Sequence, residues 1–217
     1  MYRILTLFLL AAGCSTAQLE IEEYSKHEVR FVRLDTDAVG QIQMVYKDES
    51  GERYASLDAS SSALDKGELL MFATNGGMFH QDGNPVGLFI EDNEVRSVRN
   101  TDEGNGNFFL KPNGVFAVSQ DGQALVTTSE QWLTEDQTSI EFATQSGPML
   151  VINGTIHPVF TEGSANKYIR SGVGVDQTGN VLFGLSEAPM NFHDFAIAFQ
   201  EEGCTDALYL DGAFSHT

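Results

Sequence analysis

Apolar residues in this chain recur mostly at alternate positions or in short continuous runs, the pattern of strands more than of helices. Residues 29–34 and 42–46 are β-rich runs separated by an Asp/Gly-containing turn. Residues 69–74 (LLMFAT) form a continuous apolar run, which predicts a strand covered on both faces. Residues 86–91 and 94–98 flank Asp92-Asn93 as a hairpin. Residues 108–110, 115–119 and 124–128 are short strands set off by Pro112-Asn113-Gly114 and Asp121-Gly122. Asn153-Gly154, which suits a type I′ turn, joins residues 148–152 to 155–157 in the clearest hairpin. Another hairpin spans 173–176 and 180–185, and residues 207–210 form a final strand ending at Asp211-Gly212.

Helical spacing is rarer. Residues 54–66 carry Leu57, Ala63 and Leu64 at helix-compatible positions, with Gly67 as a stop. Residues 129–133 read as a short capped helix. Residues 191–201 (NFHDFAIAFQE) place Phe192, Phe195, Ala196 and Phe199 on one face, with Asn191 as N-cap. These elements predict an α+β fold: a single domain dominated by mixed or antiparallel sheet, with a few packed helices.

Composition narrows the function. The 217 residues are 41% hydrophobic and 20% charged, as in an ordinary globular domain. Asp and Glu number 31 against 12 Lys and Arg, a formal net charge of -19. That field repels nucleic acid and anionic membrane surfaces, so nucleic acid is not an expected partner. No G-x-G-x-x-G motif leads from a strand into a helix and no Walker loop is present, which removes support for nucleotide folds.

The N-terminus reads as a targeting segment. Arg3 precedes an apolar run over residues 4–12 that is too short to span a bilayer as a helix. The run ends in Leu10-Ala11-Ala12-Gly13-Cys14, which resembles the bacterial lipobox, where cleavage precedes a lipid-bearing cysteine. A plain secretory signal is the alternative. The expected organisation is a signal and lipobox region over 1–17, a polar tether over 18–27 and a globular domain over 28–217. Lipid on Cys14 is the expected membrane anchor, and the location is the periplasm or the membrane face of the cell envelope. The other cysteine, Cys204, reads as a free, buried thiol with no base beside it in sequence.

Candidate chemistry gathers at strand ends. Asn75-Gly76-Gly77 follows the 69–74 run, and its glycines let backbone amides approach a ligand. Gln145-Ser146-Gly147 offers an amide, a hydroxyl and a backbone N–H. Arg170 precedes the 173–176 strand, and Asp211-Gly212 ends the last one. Together these are an anion cradle, a guanidinium clamp and an acid, a set suited to a phosphorylated sugar. His80 and His157 lack metal-ligand spacing, and neither Asp82 with Asn84 nor Asp92 with Glu94 matches a calcium loop, so no metal or cofactor is predicted.

The strings ATNGGMF, PVGLFIED, GNFFLKPNGVF, ATQSGPMLVING, IRSGVGV, NFHDFA and GCTDALYLDG occur in this order. They resemble the bacterial branch of the phosphodiester glycosidase family over residues 69–212. The resemblance implies hydrolysis of a sugar-1-phosphodiester, with release of the sugar and of a phosphomonoester. By motif it carries substrate binding to Asn75, Gly76, Gly77, Gln145, Ser146, Gly147 and Gly212. It carries phosphate stabilisation to Arg170, and acid/base or oxocarbenium-stabilising work to Asp211. Family domains continue past this loop into further sheet structure, so the expectation is either that the sequence is truncated or that the last strand is missing. The alternative function is a non-catalytic carbohydrate- or phosphate-binding envelope lipoprotein.

Overall fold

The structure, a computed structural model, describes residues 7–12, 21–48, 50–54, 69–134 and 139–211. The strands are β1 (Leu7–Ala12), β2 (Ile21–Lys26), β3 (Val29–Leu34), β4 (Ile42–Val45), β5 (Leu69–Asn75), β6 (Phe89–Glu91), β7 (Glu94–Ser97) and β8 (Gly114–Ser119). They continue with β9 (Ala124–Thr128), β10 (Ile140–Ser146), β11 (Met149–Ile152), β12 (Thr155–Ile156), β13 (Ser171–Asp176), β14 (Val181–Ser186) and β15 (Cys204–Tyr209). Helix α1 (Phe192–Glu201) precedes β15. Three sheets form, in the orders β4-β1-β5, β7-β6-β10-β8-β9 and β12-β11-β15-β13-β14-β3-β2. The ladders between these strands are antiparallel, and the domain is mostly β, so of the two sheet types expected it is the antiparallel one that forms.

Alternation along each strand divides the core. Val32, Leu34, Val173, Phe183 and Leu208 of the seven-stranded sheet face Phe116, Val118 and Phe142 of the five-stranded one, with Ile42 and Met44 closing the side. The opposite face of the seven-stranded sheet, with Phe31, Leu150, Leu182 and Tyr209, is covered by Phe195, Ala196 and Phe199 of α1. Val115, Ala117, Trp132 and Ala143 fill the outer side of the five-stranded sheet. Trp132 is therefore core. Burial on both faces explains why β8, β13 and β14 read as continuous apolar runs. α1 seats closely because Gly184 lies under it: a Cβ there would stand 2.8 Å from the Phe199 ring.

Several expectations are corrected. Residues 18–27, read as a tether, contribute β2, because Tyr24 packs on Phe31 with ring centroids 5.7 Å apart and donates its hydroxyl to Glu202. Within 108–110, the expected strand is instead a 3-10 turn over Asn107–Phe109, with Phe108 driven into the core. β5 is not covered on both faces, since Met71 is 50% exposed. Leu7–Ala12, inside the run read as an export signal, is the middle strand of its sheet and sets Leu7 opposite Asn75. Cleavage before Cys14 would take this strand with it. Cys14, Gly212 and the expected 54–66 helix beyond Tyr54 lie outside the described residues.

Candidate functional site

One end of the sandwich collects the candidate residues, because β5, β10 and β15 finish there while β8, β11 and β13 begin there. The registers fix this: Ser146 pairs with Gly114 on β8, and Gly172 with Tyr209 on β15. Asn75, buried at the end of β5, ties three segments together. Its Nδ2 donates to the Asp211 carbonyl, and its Oδ1 accepts from the Ser171 hydroxyl at 3.3 Å. The amide thereby fixes the Asp211 main chain against the start of β13.

Ser146 ends β10 with 0% exposure, and among the described residues its hydroxyl has no hydrogen-bond partner. A buried orphan hydroxyl is unfavourable by about 1–3 kcal/mol and invites a ligand or water. Gln145, its neighbour, is committed inside the protein. Its Oε1 accepts from the N–H groups of Leu88 and Asn100, and its Nε2 donates to the Asn100 carbonyl and the Ser129 hydroxyl. The glycines also act inward. A Cβ on Gly77 would sit 2.6 Å from the Gln145 carbonyl oxygen, and one on Gly147 would sit 2.8 Å from that of Phe108. Both are small because backbone packs on backbone there. Gly76 is likewise buried in this turn.

Arg170 lies on the helix side of the sheet rim, one residue from Ser171. It is 1% exposed. Nε donates to the Met190 carbonyl at 2.7 Å, and Nη2 donates to the Asn166 carbonyl and side-chain oxygen at 3.0 and 3.1 Å. Its guanidinium carbon sits 3.6 Å from the Phe192 ring centroid. Behind Phe192 the stack continues through Phe160 at 5.1 Å to His157 at 4.8 Å. Burial pulls the Arg170 pKa down, and the Tyr209 hydroxyl beside it opposes that. Among the described residues no carboxylate forms an ion pair with this guanidinium. A buried cation balanced, among the described residues, by carbonyls, an amide, a tyrosine hydroxyl and ring faces, with no carboxylate, attracts an anion. The expected two-pronged clamp is corrected: Nε and Nη2 are committed to Met190 and Asn166, and the Tyr209 hydroxyl hydrogen-bonds the same guanidinium.

The sequence model of the phosphodiester glycosidases matches residues 70–217. The chain belongs to the phosphodiester glycosidase family. It is 34% identical to the uncharacterized protein YigE of Escherichia coli (strain K12), over 98% of this chain and 81% of that one. Its fold is similar to that of the zebrafish N-acetylglucosamine-1-phosphodiester alpha-N-acetylglucosaminidase catalytic domain, auto-inhibited by its pro-peptide. That match has a TM-score of 0.54 and 16% identity, covering 95% of this chain and 76% of the other.

A cleft of about 1200 Å³ opens elsewhere on this protein, lined by residues that include Tyr46, Lys47, Tyr54, Glu91, Arg96 and Phe142. Burial raises the Glu91 pKa, but Arg96 answers Glu91 at 3.5 Å and Glu94 at 2.5 Å. The cleft carries more acid than base, with Asp48, Glu91, Asp92 and Glu141 against Lys47 and Arg96, which disfavours an anionic ligand there. At Arg170, among the described residues, no carboxylate answers the guanidinium. Among the described residues no cluster of His, Cys, Asp and Glu is arranged to hold a metal ion.

Asn166, Met190 and Phe192 were not expected as parts of the site, and Ser171 was expected only as one of the residues in the cluster around Arg170. Ser171 follows Arg170 directly and was visible as a hydroxyl at a strand start. The other three act through contacts 4 to 22 residues from Arg170, for which the chain holds no local signal. His193 and Asp194 belong to the start of α1. The Asn191 side chain accepts from the Asp194 N–H at 2.9 Å and donates to its carboxylate at 2.8 Å.

Proposed function

We propose that this protein hydrolyses a sugar-1-phosphodiester of the bacterial envelope or of exopolysaccharide. One observation carries the reading: a buried guanidinium with no carboxylate partner among the described residues, at the strand ends that hold Asn75, Ser146 and Asp211. In such a reaction the bond from the anomeric carbon to the phosphate oxygen breaks, the phosphate leaves with the electron pair, and water supplies the new sugar hydroxyl. Negative charge grows on the departing phosphate, and the buried positive charge of Arg170 lowers that barrier. A preorganised donor of this kind contributes about 3–4 kcal/mol. The Ser146 hydroxyl adds a donor aimed at a phosphate or sugar oxygen. Asp211, held by Asn75 through its own carbonyl, assists the attacking water or steadies positive charge at the anomeric carbon. Because a phosphate departs readily, no second carboxylate acting as a strong acid is required. Export, and anchoring by lipid on Cys14, belong to the same proposal.

The test is an assay of the purified protein against a panel of sugar-1-phosphodiesters. The proposal expects free sugar and phosphomonoester in equal amounts. Tight binding with no release of sugar would instead favour a carbohydrate- or phosphate-binding protein.

A further inference from the structure

Arg170 is 1% exposed, so a phosphate cannot meet its guanidinium while the surrounding chain stays as it is. On one side the layer over it is a single residue. Asn166 accepts from Nη2 through both its carbonyl and its side-chain oxygen, at 3.0 and 3.1 Å, and is itself exposed. Asn166 belongs to the connection from β12 to β13, residues 157–170, which holds no helix or strand. Both ends of that connection are fastened. His157 is buried and donates its N–H to the Leu150 carbonyl at 3.0 Å, and the Phe160 ring stacks on Phe192 at 5.1 Å. At the other end Tyr168 exchanges two backbone hydrogen bonds with Met190, at 3.2 and 3.0 Å. The stretch between, 161–167, is exposed apart from the half-buried Ser164. It bonds to itself where Ser164 donates its N–H to the Thr161 carbonyl and Asn166 donates its own to the Ser164 hydroxyl. Among the described residues, both of its hydrogen bonds to the rest of the protein go to Nη2 of Arg170. A segment with no buried apolar side chain and so few ties opens far more readily than the sheets beside it.

We infer that residues 161–167 form an autoinhibitory flap: the two Asn166 oxygens occupy the place on Arg170 that phosphate oxygens take, and an incoming phosphate displaces them. This rests on the reading of Arg170 as the group that meets the phosphate. The exchange favours the anion, because the Asn166 oxygens are neutral dipoles whereas phosphate oxygens carry charge and bond a guanidinium more strongly. It favours the anion further because, among the described residues, no carboxylate balances this cation. The fastened ends act as hinges, and the Met190 carbonyl keeps its hold on Nε while the tip swings out. Closure of the flap lowers the apparent affinity for phosphate by the fraction of time that Arg170 is covered.

Asn166→Asp and Asn166→Ala move the flap in opposite directions. Aspartate keeps the shape and adds the missing counter-charge, which holds the flap shut; alanine removes one acceptor and loosens it. For wild type and both variants, inorganic phosphate binding is titrated by calorimetry, trypsin cleavage after Lys167 is timed, and the thermal midpoint is measured. Cleavage within a segment that opens locally follows the open population. Asn166→Asp is expected to weaken phosphate binding at least ~10-fold and to slow the cut, and Asn166→Ala to tighten binding about 3–10-fold and to speed it. In wild type, phosphate should accelerate the cut, whereas a ligand that only stabilises the fold slows it. Equal phosphate affinity in all three proteins overturns the inference, and a lower midpoint in Asn166→Ala with that equality makes Asn166 a fold anchor. A cut that phosphate slows or leaves unchanged overturns it as well. So does the absence of phosphate binding in wild type and Asn166→Ala alike. The expected responses to phosphate, with no sugar released from any sugar-1-phosphodiester, support the flap and overturn the hydrolase reading alone.

Discussion

Replacing Arg170 with lysine separates charge from geometry. The guanidinium makes one hydrogen bond to the buried Met190 carbonyl and two to the carbonyl and side-chain oxygen of Asn166, and stacks at 3.6 Å on Phe192. A lysine ammonium is a single nitrogen, so it reaches Met190 or Asn166 and not both, and it has no plane to stack. At least two charge-assisted bonds are lost, each about 1.5 kcal/mol. Loss of the stack adds about 1 kcal/mol. The sum is roughly 4 kcal/mol, which for a domain of this size lowers the thermal midpoint by on the order of 10 °C. Activity, assayed well below the variant's own midpoint, should fall at least ~100-fold, since the charge remains but the planar fork that positions it is lost. Calorimetry and steady-state kinetics on the same preparation check both. A midpoint near that of wild type would refute the role given to the Met190 and Asn166 contacts. A lowered midpoint with normal kcat/KM would make Arg170 a fold anchor and remove it from the reaction.

Asp211→Asn keeps the shape and the carbonyl that Asn75 holds, and should reduce kcat by ~100-fold or more while substrate affinity stays measurable; near-normal turnover would exclude the carboxylate from the chemistry. His157 is buried and neutral: its Nδ1 accepts from the Val159 N–H, so Nε2 carries the proton and faces the Lys111 carbonyl, and burial lowers its pKa below 6.5. Between that lowered value and 6.5 the unfolded chain binds the extra proton, so stability should fall as pH drops below 6.5. His157→Gln should flatten this part of the midpoint-against-pH curve, and an unchanged slope would assign it to other groups. Gly184→Ala drives a methyl into Phe199 and should destabilise by about 1–3 kcal/mol in denaturant titration; a neutral result would mean that α1 shifts freely. Cys14→Ser should move the protein from the membrane to the soluble envelope fraction, and an unaltered distribution would remove the lipid anchor.

Local chemistry along the chain was enough to predict the elements whose stability is local. Asp92-Asn93 and Asn153-Gly154 take positive φ values of 51°, 58°, 48° and 75°, because these residue types tolerate the left-handed region that a two-residue hairpin turn requires. Asn191 caps α1 because its side chain reaches only three residues ahead. The family and the strand-end position of Asn75, Ser146, Arg170 and Asp211 were legible too, since each follows or opens an apolar run. What the tertiary structure alone decided are the properties that depend on distant partners. β2 is a strand and not a tether because Tyr24 finds Glu202 from the far end of the chain. The same dependence divides the site. Gln145 looked like a ligand-binding amide until Leu88, Asn100 and Ser129 took up its oxygen and nitrogen, and Gly77 looked like a cradle until β10 closed against it. Residue type states which groups can donate or accept. Whether a donor remains for a ligand depends on which others fold against it, and those neighbours are remote in sequence.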